Sequence, residues 1–404
     1  MGSEKAFGPV KLLFGKGESL MLPRSEKEEK RKDDFMVGRR PCTIAPLEEE
    51  EWSFLYPKQE EAACLRFKEA LLKYAPDVGM VIQEPLLRAY GTEEELVEAS
   101  WLALREYTSQ LVLAVIGDST RHFKAFKRRT YRDCSVPSQA VFLPKIKAAS
   151  EAELAGLCRT LATQLSAKRG GVPWRLHRQE EEAATFFAAV AFDADRTALL
   201  LSINPELCRW YARTSGCPDI KKRPQFLAEA LIDGVDKFLR KAKKPPQRIV
   251  IFRDAHKEES MESLRKERDE VQRKLQPNWT SGTLGRLSPA SWGEGVKLFY
   301  VLVFAKKMGT ASDARWPEDT FQLPHNSNQF YAPFSSDPAV SLERLKRWTY
   351  ELCFIYYNLT GRAEAPAPIM YARRLVHSLF YLDPMEGLAV GDVPPTLRDI
   401  PFYL

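Results

Sequence analysis

The sequence feature that most constrains the fold is an apolar run that stops at a turn and is followed at once by a basic helix. The run covers residues 110–116, the turn is Gly117-Asp-Ser-Thr, and helical spacing extends over about 120–130. A short strand is predicted at 139–143 and a helix at 151–168. Because strands and helices alternate in this way when helices cover a parallel sheet, we predict an α/β fold for this half of the chain.

The second half of the chain predicts a mixed sheet covered by helices. Two β-rich runs at 185–192 and 197–203 are joined by turn residues, which indicates a β-hairpin. Buried strands are predicted at 248–253, reached by a crossover, and at 297–304. Amphipathic spacing along the whole chain predicts further helices at 59–74, 93–105, 224–240, 257–275, 341–357 and 368–380.

The length of the chain and a break that contains glycine and proline indicate two domains. The chain has 404 residues, more than the ~250–300 at which a single core stops growing. The stretch Gly170-Gly-Val-Pro interrupts the alternation of strands and helices. We therefore place an N-terminal extension at 1–55, a first domain at 56–170 and a second at 171–404. The charged run at 25–34 is expected to form a solvated loop within the extension.

The composition is that of an ordinary globular protein. Hydrophobic residues make up 44% of the chain, and its apolar runs fall short of the ~20 residues that a membrane span requires. The N-terminus lacks the features of a signal peptide, so we expect a cytoplasmic protein with reduced cysteines and no membrane contact. The formal charge of +6 suits a polyanionic partner, although such a charge is common in proteins that bind no nucleic acid.

The basic helix at 120–130 is the first candidate binding feature. Ligands sit at strand ends in open sheets, and a helix N-terminus offers N–H groups and a positive dipole end, so Lys127 could turn inward to a phosphate. The plainer alternative is a solvated helix face. Gln139, at the following strand, either donates its amide to an anion or satisfies a loop carbonyl.

A second candidate lies at the end of the helix at 151–168. Gln164 and Lys168 are one helical turn apart and therefore face the same side. The alternative is an exposed helix end, because Lys and Gly are also favoured there by capping and the helix dipole. The chain then closes on an apolar tail, Ile400-Pro-Phe-Tyr-Leu404, which we expect to dock rather than fray.

These stretches, in this order, resemble the MID and PIWI domains of Argonaute proteins, and specifically the short prokaryotic Argonautes that lack the N and PAZ domains. The resemblance implies a Rossmann-like MID domain at 56–170 followed by an RNase H-like PIWI domain at 171–404. The residues that carry it include Leu12-Leu-Phe-Gly15, Ala167-Lys-Arg-Gly-Gly-Val-Pro-Trp174, Ile251-Phe-Arg-Asp254 and Ala365-Pro-Ala-Pro-Ile-Met-Tyr-Ala372.

The resemblance also implies a pocket for the 5′-phosphate of a small guide. In the family a tyrosine and a lysine four residues later hold this phosphate, and here Phe123 and Lys127 have that spacing. The tyrosine hydroxyl is thus absent at this position, with His122 as a candidate replacement. Gln139 and Lys168 match the other two phosphate-binding positions.

Two more positions match residues that hold a divalent cation beside the phosphate. They are Gln164 and the carboxylate of Leu404. A carboxylate repels a phosphate unless a hard, oxygen-preferring cation lies between them, so the resemblance implies Mg²⁺, or Mn²⁺, at this place.

The cleavage centre of the family is incomplete in this sequence. Slicing Argonautes hold two metal ions with several carboxylates, and Asp254 matches one of them. No buried carboxylate is predicted on a strand between Trp174 and the hairpin, and Arg373 stands where slicers carry histidine or aspartate. We therefore expect no cleavage, with Asp254 as a remnant or a hydrogen-bond acceptor. Arg373 and Arg374 would contact the guide–target backbone or form surface salt bridges.

The function implied by the resemblance is guide-dependent nucleic-acid binding in prokaryotic defence against plasmids and phages. The guide is RNA or DNA, with RNA favoured, the target is DNA, and the partner is an APAZ-containing effector of TIR, SIR2 or nuclease type. Two alternatives stay open. One is an active endonuclease, in which one of Glu180, Glu181 and Glu182 completes the site with Asp254. The other is a Rossmann-like small-molecule enzyme, although no GxGxxG follows the first predicted strand.

Overall fold

The chain forms three sheets and nine α-helices in the part that the computed structural model describes. The described residues are 7–22, 36–105, 109–117, 120–178, 184–193, 196–216, 222–255, 259–280, 297–305, 317, 319–334, 340–358, 362–379, 393–399 and 401–402. The loop predicted at 25–34 lies outside them.

The strands are, in chain order, β1 (Val10–Leu13), β2 (Ser19–Leu22), β3 (Trp52–Pro57), β4 (Leu86–Tyr90), β5 (Leu111–Ile116), β6 (Ser138–Phe142), β7 (Arg175–Leu176), β8 (Thr185–Asp193), β9 (Arg196–Ser202), β10 (Trp210–Gly216), β11 (Arg248–Asp254), β12 (Lys297–Ala305), β13 (Phe321–Leu323) and β14 (Asn326–Phe334). The helices are α1 (Glu61–Tyr74), α2 (Glu93–Arg105), α3 (Thr120–Arg128), α4 (Leu143–Ala148), α5 (Glu151–Lys168), α6 (Arg223–Ala242), α7 (Met261–Thr280), α8 (Leu342–Glu351) and α9 (Ala367–Ser378).

The first large sheet is parallel and has the strand order β4-β3-β5-β6. All six residues of β5 are buried, as expected of a parallel strand covered on both faces. One face packs on α1 and α5, and the other packs on α2 and Phe126 of α3. This arrangement is Rossmann-like. The sheet includes β3, which begins at Trp52 within the predicted extension at 1–55.

The second large sheet has seven strands in the order β10-β9-β8-β11-β12-β14-β13. The strands β8 and β9 form the predicted antiparallel hairpin, and β8 then runs parallel to β11, with α6 lying between them in the chain. Side chains alternate along β11, so that Ile251 and Arg253 face α6 and α7, while Phe252 and Asp254 face α9. A mixed sheet with helices on both faces is the RNase H-like arrangement that the sequence predicted.

A small sheet and a buried connection join the two large sheets. The strand β1 pairs antiparallel with β2 on one side and with β7 on the other. Between α5 and β7, the indole of Trp174 is fully buried; its Nε1 donates to Phe354 O (2.6 Å) and its own carbonyl accepts from Tyr357 Oη (2.8 Å). One continuous core therefore spans both sheets. Among the described helices, none combines the length and the apolar character needed to cross a membrane.

Candidate functional site

The end of the basic helix α3 carries a lysine into the interior. Arg121 and Lys124 are exposed, whereas Lys127 is only 5% exposed. The helix continues after Arg128 as one π-helical turn over Arg129–Asp133 rather than ending near 130 as predicted. Single π turns of this kind are often found at functional sites. Here the turn adds more inward-facing side chains next to that of Lys127.

Ser138, the first residue of β6, is the point on which these side chains converge. Thr130 Oγ1 lies 2.8 Å from Ser138 Oγ, and Tyr131 Oη lies 3.3 Å from Ser138 O. Lys127 Nζ donates to Ser138 O (2.7 Å), to Ser138 Oγ (3.2 Å) and to Tyr131 Oη (2.8 Å). A hydroxyl therefore does lie beside Lys127, but it belongs to Tyr131 and not to a residue at position 123.

The second lysine reaches the same carbonyl from the end of α5. Lys168 is fully buried, and its Nζ donates to Ser138 O at 2.7 Å. The helix ends in a tight turn, in which Gly170 has a φ of +88° and Gly171 N donates to Ser166 O. A Cβ on Gly171 would lie 2.3 Å from Ser166 Oγ, so only glycine fits. These glycines end the helix at the point where Lys168 still faces inward.

We call Lys127, Ser138, Gln139 and Lys168 the lysine pocket. Burial lowers the pKa of Lys127 to about 7. The pKa of Lys168 lies well below its ordinary value because of burial first, and then because of the charges of Lys127 and Arg374. No carboxylate among the described residues contributes to either pKa. Buried cations without a counter-charge are costly, which is why both pKa values fall, and an anion bound next to these lysines would favour their charged forms.

Two predicted phosphate-binding residues border the pocket. Gln139 is half-buried; its Nε2 donates weakly to Ala140 O (3.3 Å), and its Oε1 is buried without a hydrogen-bond partner. Phe123 is half-buried, with its ring centroid 5.7 Å from Lys127 Nζ and 6.0 Å from the ring of Phe142. The structure thus brings Phe123 and both lysines together, and Gln139 follows Ser138 in the chain. His122 is not among the described hydrogen-bond partners of Lys127.

Phe402, within the predicted apolar tail, packs beside the lysine pocket. Phe402 is fully buried, and its carbonyl accepts a 2.6 Å hydrogen bond from Tyr131 Oη. The two rings also meet edge to face, with centroids 5.0 Å apart. Leu404, the predicted metal ligand, lies outside the described residues. Its predicted partner Gln164 donates from Nε2 to Asn358 Oδ1 (2.7 Å) and, more weakly, to Asn358 O (3.4 Å).

A second cluster lies at the end of β11, around Asp254. The guanidinium of Arg373 donates hydrogen bonds to this carboxylate, with Nη2 2.6 Å from Oδ1 and Nε 3.1 Å from both oxygens. The ion pair is partly buried, with 19% of the Asp254 side chain and 29% of the Arg373 side chain exposed. The cation predicted to contact a nucleic-acid backbone is thus engaged with the Asp254 carboxylate. Its neighbour Arg374 lies over the ring of Tyr356, on the side of Lys168.

The strand beside Asp254 differs from the one predicted. In the segment after Trp174, β7 pairs with β1 in the small sheet, and β8 of the hairpin is the strand next to β11. Arg253 is paired with Val190, which places Ala191 level with Asp254, and Val303 is paired with Asp254 on the other side. Both level neighbours are apolar, but β8 ends two residues further on at Asp193, whose Oδ2 lies 3.9 Å from Nδ1 of His377 on α9. Within the described part of the chain, no three His, Cys, Asp or Glu residues could together hold a metal ion; Glu180, Glu181 and Glu182 lie outside it.

Comparison with known proteins places this geometry in context. No protein-family model matches the chain. Protein piwi of Drosophila melanogaster is 22% identical over 387 residues, which are 87% of this chain and 43% of that protein. Piwi-like protein 3 of Homo sapiens is also 22% identical, over 81% of this chain and 40% of its own length. The chain therefore spans about two fifths of the length of the curated relatives it matches.

Solved structures match over most of the chain. The crystal structure of Drosophila Piwi superposes with a TM-score of 0.78 at 20% identity, covering 98% of this chain and 56% of that one. The MID-PIWI domains of N. crassa QDE-2 AGO give 0.61 at 14% identity, covering 91% of this chain and all of that one. Clostridium butyricum Argonaute, bound to a guide DNA and a target DNA, gives 0.65 at 15% identity, covering 94% and 53%.

The fold is α/β, with a Rossmann-like sheet joined to an RNase H-like sheet as in the MID and PIWI domains of the matched structures. The chain is similar to Piwi and Argonaute proteins, and the MID-PIWI fold that the sequence resemblance implied is confirmed. Membership of the short prokaryotic group and the loss of cleavage stay predictions. The domain limits at 55 and 170 stay predictions.

Proposed function

We propose that the lysine pocket binds the 5′-phosphate of a small guide nucleic acid, and that the chain recognises a target complementary to that guide. The observation that carries this proposal is the convergence of two buried ammonium groups on Ser138 O without a carboxylate among the described residues. A phosphate would relieve the repulsion between Lys127 and Lys168 and would accept charge-assisted hydrogen bonds from Lys168. The three N–H groups of Lys127 already face Ser138 and Tyr131, so Lys127 would act mainly through its charge.

The hydrogen-bond donors of the pocket support this role. Lys168 Nζ carries three N–H groups and has one hydrogen-bond partner in the described structure, Ser138 O. Two of its donors are therefore available to an anion. The amide of Gln139 has an oxygen without a partner and only a long bond from its nitrogen, so little holds it against turning Nε2 toward a phosphate.

We further propose that Gln164 and the carboxylate of Leu404 would hold Mg²⁺ or Mn²⁺ beside the phosphate. The donor chemistry suits such an ion, because Gln164 Nε2 is engaged with Asn358 while no described residue donates to its Oε1. The ion would supply the positive charge that lets a carboxylate lie next to a phosphate. Gln164 and the docked tail would orient its ligands.

Sequence specificity would then come from base pairing between guide and target. Protein contacts to phosphates fix position and register but do not read bases, so a pocket for one terminal phosphate needs the guide to supply the sequence information. We favour an RNA guide and a DNA target. The solved Clostridium butyricum Argonaute is described with DNA in both roles, so both guide types belong in any binding assay.

We propose that the chain does not cleave its target. A two-metal centre needs several carboxylates around a pair of cations, whereas Asp254 already binds the guanidinium of Arg373. On the adjacent strand Ala191 is level with Asp254, and the nearest carboxylate, Asp193 at the strand end, lies beside His377. Guide-loaded protein given a complementary target with Mg²⁺ or Mn²⁺ should leave the target intact. Site-specific cleavage that disappears in Asp254→Ala would overturn this part of the proposal.

The biological setting follows from the sequence resemblance alone. We propose that the protein acts in the cytoplasm as the sensing subunit of a prokaryotic defence system against plasmids and phages. Its response would be delivered by an APAZ-containing partner with a TIR, SIR2 or nuclease effector. Co-purification of such a partner with the tagged protein would test this role.

The decisive test of the pocket compares guides that differ only at the 5′ end. Lys127→Ala and Lys168→Ala should each weaken binding of a 5′-phosphorylated guide by about 10- to 100-fold, the range for hydrogen bonds to charged groups, and change binding of a 5′-hydroxyl guide much less. Lys124→Ala, an exposed lysine of the same helix, is the matched control. Equal losses for both guides would reject the pocket.

A further inference from the structure

The hydroxyl of Tyr131 connects the lysine pocket to the C-terminal tail. Lys127 Nζ donates to Tyr131 Oη at 2.8 Å, and Tyr131 Oη in turn donates to Phe402 O at 2.6 Å. The hydroxyl of Tyr131 thus accepts a hydrogen bond from Lys127 and donates one to the carbonyl of Phe402. Hydrogen bonds in such a chain polarise one another, so each is strengthened while the other is made.

The described residues of the tail are held in two places: against β10 and α6 of the seven-stranded part, and against Tyr131 in the π turn after α3. On the seven-stranded sheet, Ala212 N donates to Arg398 O (2.8 Å), and Lys237 forms an ion pair with Asp399 (3.0 Å). Beyond these contacts, the ring and hydroxyl of Tyr131 contact Phe402. Tyr131 is therefore the described anchor closest to the end of the tail.

The π turn is what makes this anchor possible. It directs Thr130 and Tyr131, neighbours in sequence, toward the same residue, Ser138. The side chain of Tyr131 is only 2% exposed. Because the Tyr131 hydroxyl is buried, it does not serve as a surface contact. It connects Lys127 to the backbone of the tail, so a shift of the tail would change the position of the lysine.

We propose that Tyr131 is a positioning residue that couples docking of the C-terminal tail to binding of a phosphate in the lysine pocket. This inference rests on the proposed function and adds a residue that the sequence resemblance does not assign. By linkage, a docked tail raises the affinity for the phosphate, and a bound phosphate stabilises the docked tail by the same factor.

The variant that tests this coupling is Tyr131→Phe, which keeps the ring against Phe402 and removes the hydroxyl alone. Tyr90→Phe is the matched control, because Tyr90 is also a buried tyrosine of the parallel sheet whose hydroxyl donates to a backbone carbonyl, Val115 O (2.7 Å). Tyr131→Phe should weaken binding of a 5′-phosphorylated guide by about fivefold and leave a 5′-hydroxyl guide within about twofold. Tyr90→Phe should change neither.

A double-mutant cycle distinguishes coupling through the tail from a direct effect on the pocket. In a chain shortened after Pro401, Tyr131→Phe should cause less than about a twofold further loss, because its partner Phe402 is gone. If Tyr131→Phe still weakens binding of the 5′-phosphorylated guide about fivefold in the shortened chain, the two losses are independent and the inference is wrong. Digestion with carboxypeptidase, without guide, should release Phe402 faster from Tyr131→Phe than from Tyr90→Phe, and equal rates would also count against it.

The outcome separates the inference from the function on which it rests. If Lys127→Ala and Lys168→Ala discriminate between the two guides but Tyr131→Phe behaves like Tyr90→Phe, the pocket stands and the coupling is wrong. If the lysine variants do not discriminate, the proposed function itself fails, whatever Tyr131→Phe does.

Discussion

Arg373 and Arg374, neighbours on helix α9, lie in opposite electrostatic surroundings. Arg373 meets Asp254, so the cluster at the end of β11 is neutralised by residues of the chain itself. Arg374 lies on the side of Lys168, where positive charge accumulates and no described carboxylate offsets it. The Asp254 cluster contains its own counter-ion, whereas the described residues around Lys168 supply none. A charged cluster that is neutralised by its own side chains stabilises the fold. A cluster with unbalanced positive charge is better placed to bind an anion.

This difference predicts opposite stability changes when one cation is removed from each cluster. Arg373→Met should lower the free energy of unfolding by about 2 kcal/mol, because Asp254 is left partly buried without its partner; the loss is smaller than for a fully buried pair. Thermal unfolding of the guide-free protein measures it. Guide binding should stay within about twofold of the parent chain, and a large loss of guide affinity would show that Arg373 does contact nucleic acid.

The pH dependence of guide binding should report the lysine pocket. A bound phosphate favours the charged form of Lys127, whose pKa in the free protein is about 7, so binding takes up a proton when the pH exceeds that value. The preference for a 5′-phosphorylated over a 5′-hydroxyl guide should therefore fall as pH rises from 7 to 9. The fall is at most about tenfold per pH unit for one proton. In Lys127→Ala the profile should be flatter, and an unchanged profile would contradict the assignment.

Removal of the unbalanced cation should stabilise the empty protein. Lys168→Met should raise the free energy of unfolding by about 1 kcal/mol while abolishing the preference for a 5′-phosphate. The folded-state pKa of Lys168 lies below its unfolded value, so the unfolded chain binds more protons and stability rises with pH. The gain from Lys168→Met should thus be larger at pH 6 than at pH 8. Lys124→Met, on the exposed face, should leave stability unchanged.

Much of the fold was predictable because local signals agreed with the tertiary structure. Residues 151–168 were predicted as a helix and form α5 with those limits, since Ser150 and Glu153 make a capping box and the two glycines end the helix. The strand β5 was evident as an apolar run between turn signals. In contrast, β4 and β14 mix polar and apolar residues, so no period-2 pattern marked them.

The site was predicted in part. Lys127 and Lys168 converge on Ser138, with Gln139 next in the chain and Phe123 beside Lys127, because helix and strand ends fix their positions. Their binding role stays a prediction. Tyr131 was missed, since the helix was predicted to end at 130, although its spacing of four residues from Lys127 was a usable signal. The position level with Asp254 could not be found from a single sequence, because the register of parallel strands depends on distant parts of the chain.

The most direct test of the central claim is the chemistry at the 5′ ends of nucleic acids that co-purify with the protein. Our account predicts that these ends accept label from a polynucleotide kinase only after phosphatase treatment, because they carry phosphates. It also predicts that such material is strongly depleted in the Lys127→Ala/Lys168→Ala double variant. Ends that label equally well without phosphatase, in amounts unaffected by the two substitutions, would contradict the account.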